Sequence, residues 1–213
     1  MFFNFFIFGL VGYAALSNVF VAVFNDFLAI FGVRNLVAIQ IGNLPSWAHL
    51  LILFLAKDFI QWNTHRLLHR YEWLWEFHKV HHSVEQMGFA AHLRYHWMEN
   101  VVYKTIQYLP LAMLGFGLTD FLWVDLFTIA IGHFNHSNIK IPLGYFKYII
   151  NNPQMHIWHH AHHIPNEKGI NFGITLSVWD YLFGTAYIPK SGRDEPLGFD
   201  GIDKFPKNFW QQL

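Results

Sequence analysis

The sequence predicts an all-α protein with about four membrane-associated helices and a helical cap, and three observations lead there. Four long apolar runs are spread along the chain, each long enough for a helix. Hydrophobic residues make up 54% and charged residues only 13%, which is apolar for a soluble protein and too evenly spread to be one greasy tail. Of 15 histidines, seven fall between 65 and 96 and seven between 133 and 163, with His49 alone outside. A chain of 213 residues is long enough for one domain with a real core. A single domain is expected over 1–213, with leading helices in 1–57, a histidine-bearing region in 58–189 and a tail in 190–213.

The first run, Phe5 to Phe24, has 20 residues with Ser17 and Asn18 as its clear polar interruptions, enough to cross about 30 Å of hydrocarbon as a helix. No basic stretch precedes it, so it reads as an anchor and not as a cleaved signal peptide. Pro45 to Trp62 is the second, apolar from Leu50 to Ala56 and then carrying Lys57 and Asp58, which belong near an interface. Val101 to Phe116 and Phe121 to Phe134 follow, separated by Gly117, Leu118, Thr119 and Asp120. Each is short for a full span and suits a hairpin of short, tilted helices.

With all four runs inserted, 64–100 and 135–213 share one side of the bilayer with the N-terminus, and the two histidine groups meet. Arg34 alone of the 14 Lys and Arg residues lies in the connection between the first two runs. The positive-inside rule then places the histidine side in the cytoplasm, so the chain reads as an integral, multi-pass membrane protein. The stretch after Pro189, with Ser191, Gly192, Arg193, Asp194, Glu195 and Pro196, reads as an exposed loop. Lys plus Arg equals Asp plus Glu at 14 each, so no overall charge points to a nucleic-acid partner. The absence of cysteine excludes disulfides, iron–sulfur clusters and thiolate zinc sites, so any metal needs other ligands.

Those ligands are at hand. His65 and His69 are four residues apart, which puts both rings on one helical face about a turn apart. His78, His81 and His82 combine an i, i+3 pair with an i, i+4 pair, so three rings project into one space. Asn152 is placed to cap a helix with Pro153 in its first turn, and His156, His159 and His160 repeat the three-ring pattern. His136 and His96 are the best additional ligand candidates, while His92, His133, His162 and His163 stay undecided and His49 is read as interfacial, without a role. Buried imidazoles without partners are costly, and eight or more exceed what one ion accepts, so two ions are implied. Imidazole suits zinc, copper, iron and nickel alike. The Glu-x-x-His pairs of ferritin-like di-iron proteins and the HExxH of zinc proteases are both missing. The outer ring nitrogens need acceptors, for which Asp58, Glu76, Glu99, Asn171 and Asp180 stand nearest in sequence. Asp180 in particular is expected to be buried and to accept a ring N–H from one of these histidines.

These residues resemble the fatty acid hydroxylase and sterol desaturase superfamily, the membrane histidine-box di-iron oxygenases, whose hallmark is the series HxxxH, HxxHH and HxxHH. The likeness extends from Asp58 to His69, through Trp75-Glu76-Phe77-His78-Lys79-Val80-His81-His82-Ser83, to Asn152-Pro153, Asn171-Phe172-Gly173 and Trp179-Asp180-Tyr181-Leu182-Phe183-Gly184-Thr185. The resemblance implies two iron ions, replaceable by zinc in a purified sample, with dioxygen as co-substrate and hydroxylation or desaturation of a membrane lipid as the reaction. Gly132 to Asn138 looks like the superfamily's variable extra histidine region. No fused haem carrier or GxGxxG fingerprint is visible, so electrons are expected from separate proteins. The competing classes are a zinc hydrolase, which normally needs one ion and an adjacent base, and a haem carrier or metal-transport protein, which places its ligands differently.

Overall fold

The computed structural model describes residues 13–32, 44–141, 143–166, 168–208 and 211–212. Its elements are α1 (Tyr13–Ile30), α2 (Ser46–Arg70), α3 (Glu72–His82), α4 (Trp97–Met113), α5 (Leu118–Asn135), α6 (Pro153–His159) and α7 (Val178–Leu182), with 3-10 turns at Phe89–Leu93, Gly144–Tyr148 and Ile202–Lys204. Among the described residues no strand forms, and β pairing is limited to isolated bridges between Ile150 and Leu176 and between Ala161 and Leu197. The all-α expectation therefore holds. Among the described residues no helix is long and apolar enough to cross a membrane. The reason is legible in the runs themselves: Lys57 and Asp58 interrupt α2, Glu99 and Lys104 lie in α4, and Asp120 and Asp125 lie in α5. The start of the first run and Arg34 lie outside the described residues.

The chain divides into two compact units, residues 1–60 with 101–127, and residues 61–100 with 128–213. In the first, Leu53, Tyr108, Leu111, Phe116, Phe121 and Val124 form a core on which Val21, Leu50 and Phe54 pack. Lys57 and Asp125 are both buried in this unit, with Nζ 2.7 Å from the carboxylate, and the Tyr108 hydroxyl donates to the same carboxylate. A buried carboxylate needs such partners. His49 stacks on Phe116 at 4.7 Å and lies 3.5 Å from Asp120, also within this unit. Large apolar side chains nevertheless remain uncovered along it, including Leu16, Val19, Val23, Phe27, Trp123 and Phe127.

The second unit packs Val84, Met87, Ile157, Trp158, Ala161 and Ile170 together, with Tyr187 and Leu197 against them. Two local devices position its histidines. At Tyr71 the backbone turns extended (φ −104°, ψ 122°), so α2 ends and α3 starts in a new direction, with Leu74 and Trp75 N–H groups donating to the Tyr71 carbonyl. Asn152 Oδ1 accepts Met155 N–H at 3.0 Å and Pro153 follows, the capped start expected from the sequence. The stretch after Pro189 is more than an exposed loop. The Lys190 carbonyl accepts from Trp158 Nε1 (3.0 Å), Pro196 O accepts His162 N–H (2.8 Å) and Gly198 N–H donates to His160 O (3.0 Å), which straps this stretch onto the end of α6.

Candidate metal centre

Nine buried or nearly buried imidazoles converge in the second unit, and they sort into two groups. His65, His69, His78, His82 and His159 form one, and His81, His136, His156 and His160 the other, with one ring nitrogen from each residue lying within 4.8 Å of the others in its group. The neighbouring residues His81 and His82 thus face different groups, as do His159 and His160. Successive residues on a helix point about 100° apart, so each HxxHH block serves both groups at once.

The outer nitrogens are held by the chain. His65 Nδ1 donates to Phe172 O (2.7 Å), His159 Nδ1 to Ile170 O (2.7 Å), His136 Nδ1 to Gly132 O (2.7 Å) and His81 Nδ1 to Arg94 O (3.1 Å). His78 Nδ1 shares a hydrogen bond with the Glu99 carboxyl at 3.0 Å, both groups being buried, and burial pushes Glu99 well above the usual carboxylate range. A carbonyl can only accept, so His65, His159, His136 and His81 hold the proton on Nδ1 and leave a lone pair on Nε2. The Nε2 atoms then meet: His65 and His78 at 3.0 Å, His81 and His136 at 3.2 Å, His136 and His156 at 2.9 Å, His82 and His159 at 3.1 Å.

At His81 and His136, where both protons are held on Nδ1, the two lone pairs face each other and repel unless a cation lies between them. A proton is a poor candidate, because burial and the neighbouring histidines push every one of these nine rings below its ordinary pKa, His159 to about 4 and His136 to about 3. A metal ion fits: imidazole nitrogens about 2.0–2.1 Å from one ion lie about 3 Å apart when they bind at right angles. Three further buried nitrogens, His69 Nε2, His156 Nδ1 and His160 Nδ1, have no hydrogen-bond partner among the described residues.

The carbonyls of Ile170 and Phe172 belong to a short bracket that other residues lock in place. Asn171, at φ 53°, donates from Nδ2 to Met155 O (2.9 Å) and Tyr187 O (2.8 Å) and accepts Tyr187 N–H (2.8 Å). Asparagine tolerates this left-handed backbone better than most residues. Asp180 is fully buried and accepts from Phe172 N–H (2.9 Å), Gly173 N–H (2.8 Å), Trp62 Nε1 (2.9 Å) and Thr185 Oγ1 (2.6 Å). Burial pushes its carboxyl above the usual range, against the pull of these donors. A Cβ on Gly173 would run into the Leu176 carbonyl, which explains glycine there.

Several expectations meet a different arrangement. Asp180 is buried and hydrogen-bonded, but its carboxylate accepts from the bracket N–H groups, Trp62 and Thr185 in place of a histidine ring. It acts on His65 at one remove, through the backbone. Asn171 likewise holds backbone. Asp58 is buried in the first unit. Glu76 pairs with Lys79 at the surface, while Glu99 meets a ring of the five-histidine group, that of His78. His96 stands outside both groups: its Nδ1 accepts Met98 N–H (3.1 Å) and its ring packs on Phe77 and Trp97. His133 donates to Phe89 O (2.9 Å), and His162 pairs with Asp200 (2.7 Å) and stacks on His163. No motif marks Tyr95, whose ring lies flat on His81 at 5.0 Å and whose hydroxyl meets His92 Nδ1 at 3.2 Å. His92 in turn packs where a Cβ on Gly132 would collide with its ring. Trp75 and Phe172 wall the first group, each packing on His69.

A helical scaffold presenting two groups of buried imidazoles defines a class of histidine-ligated metalloproteins. The fatty acid hydroxylase family model matches residues 50–185, and the chain belongs to that family. It is 33% identical over 169 residues to an ornithine lipid hydroxylase of Rhizobium tropici, covering 79% of this chain and 50% of that protein. It is 33% identical over 143 residues to a very-long-chain aldehyde decarbonylase of Oryza sativa subsp. japonica (65% and 46%), and 30% identical over 143 residues to a methylsterol monooxygenase of Arabidopsis thaliana (65% and 46%). The chain spans about half the length of these curated relatives. No solved structure matches it.

Proposed function

We propose that this chain is an oxygen-dependent lipid hydroxylase or desaturase with a histidine-ligated di-iron centre, embedded in a membrane with its site on the cytoplasmic side. The observation that carries it is the convergence of nine imidazole nitrogens into two adjacent groups, each within 4.8 Å, with the lone pairs of His81 and His136 facing each other at 3.2 Å, which supports two cations. Iron bound there would supply dioxygen reduction and hydrogen abstraction from an unactivated C–H bond. The chain's own share is to fix five of the nine rings through Phe172, Ile170, Gly132, Arg94 and Glu99, and to keep bulk water from the nitrogens by burial. The relatives named as acting on an ornithine lipid and a methylsterol support a lipid substrate. The uncovered apolar side chains of the first unit, from Leu16 to Phe27 and at Trp123 and Phe127, support a bilayer around it. Electrons come from separate carrier proteins.

The test is direct. Chain produced in iron-supplied cells is assayed for metal per chain and for incorporation of labelled oxygen into lipid extracts under a reducing system. Two irons with oxygen-labelled or newly unsaturated lipid are expected. A loaded chain that consumes no oxygen in the presence of lipid and reductant overturns the reading.

A further inference from the structure

The second unit carries an exposed apolar face that the metal centre does not use. Tyr145 (89% exposed), Phe146 (66%) and Ile149 lie on the Gly144–Tyr148 turn and its end, and Leu182 (67%) and Phe183 end α7. The two pieces are joined: the Tyr148 and Tyr181 rings pack at 4.9 Å, Ser177 Oγ donates to Lys147 O (2.7 Å) and Ser177 N–H to Ile149 O (3.0 Å). Inside the turn, Phe146 N–H donates to Leu143 O and Ile149 N–H to Phe146 O, so the apolar side chains stand on a fixed backbone. Fixed, uncovered aromatic and aliphatic groups of this number mark a contact surface.

The charges choose the occupant. Positions 138–152 contain Lys140 and Lys147 and no acidic residue. Tyrosine and phenylalanine beside lysine is the composition that settles at a headgroup boundary, where rings enter the acyl edge and ammonium groups meet lipid phosphate. The same face of a second copy would instead set lysine against lysine. We propose that the Gly144–Tyr148 turn and the end of α7 dip into the headgroup region of a bilayer containing anionic lipid. This is a membrane contact in addition to the four apolar helical runs. It rests on the reading that the chain works on a membrane lipid. It also brings bilayer contact within a few residues of Asn151, whose Nδ2 donates to Gly173 O, and of the α6 histidines.

The chain has no cysteine, so a single reporter is easily placed. Full-length Tyr145→Cys carrying an environment-sensitive dye is reconstituted in phosphatidylcholine vesicles containing phosphatidylglycerol, beside a Lys207→Cys control. Lys207 is exposed outside the patch. Quenching by nitroxide lipid should exceed quenching by a water-soluble nitroxide for Tyr145→Cys, at a depth of about 5–10 Å, and the order should reverse for Lys207→Cys. Leu182→Cys should behave as Tyr145→Cys does, which guards against one misfolded variant. Adding Lys140→Gln and Lys147→Gln should make the Tyr145→Cys dye shallower. A dye reached only from water overturns the proposal. So does shielding from both quenchers that grows with protein-to-lipid ratio, since that reports a second copy. The readout is depth and not turnover, so an inactive enzyme with a deep dye would sink the hydroxylase reading and leave this contact standing.

Discussion

At the scale of single residues, the contrast between His96 and the nine grouped histidines is the sharpest test. His81→Ala or His160→Ala removes a nitrogen from the four-histidine group and should lower bound metal and abolish activity. His96→Ala and His49→Ala should keep full metal content, because His96 is satisfied by Met98 N–H and His49 sits beside Asp120 in the other unit. Metal analysis of the four purified variants decides it, and equal loss in all four would refute the grouping. Asp180→Asn is subtler. The two carboxylate oxygens separately accept Phe172 and Gly173 N–H, and an amide replaces one acceptor with a donor. The bracket carbonyls serve His65 and His159, both in the five-histidine group. Affinity should therefore fall about 10–100-fold at that group, giving chains that hold one ion firmly and one weakly. Metal titration showing two equally weakened sites would argue against the bracket.

Helices explain what was legible in the sequence. The i, i+3 and i, i+4 spacings marked the three blocks, and Asn152-Pro153 marked the start of α6, because side-chain spacing on a helix translates directly into direction. The assignment of His81 and His82 to different groups follows from the same rotation, although block patterns alone hide it. The acceptors were hidden for a different reason: Phe172, Ile170, Gly132 and Arg94 act through carbonyls, which every residue type possesses. Asp180 stands out in the sequence by its charge, yet its position depends on chain segments far apart, such as that of Trp62. Asn152→Ala removes the α6 cap and should destabilise by about 1 kcal/mol. Since α6 and its end carry His156, His159 and His160, metal should be lost from both groups, in contrast to Asp180→Asn. Melting temperature and metal content measured together separate the two variants, and an Asn152→Ala chain that loses metal from only one group would count against this account.

For the whole molecule, acid should be a hazard to the metal-free state. Each grouped histidine has a folded pKa below its unfolded value, with burial as the first cause. The unfolded chain therefore binds more protons, and stability present above about pH 6.5 is lost as pH falls, down to about 4 for His159 and about 3 for His136. Each ring contributes up to about 1.4 kcal/mol per pH unit across its window. Chelated protein should melt at progressively lower temperature from pH 7.5 to 5.5, and a flat profile would contradict the depressed values. The division into two units with separate cores is not legible in the sequence, since apolar runs reveal burial but not which partners they choose.

The pattern of clamped and unclamped rings has a kinetic side. In the five-histidine group His65, His78 and His159 are tethered from behind, against His81 and His136 in the other group, where His156 and His160 have no partner on Nδ1 among the described residues, so the four-histidine group holds its metal by one tethered ring fewer. An untethered ring swings away at less cost, and ligand departure begins with such a ring. Exchange should thus be lopsided: a chelator strips the four-histidine group in a fast phase and the five-histidine group in a slow one. Brief treatment leaves a half-loaded chain, and refilling it with a second metal yields a mixed-metal centre of known order.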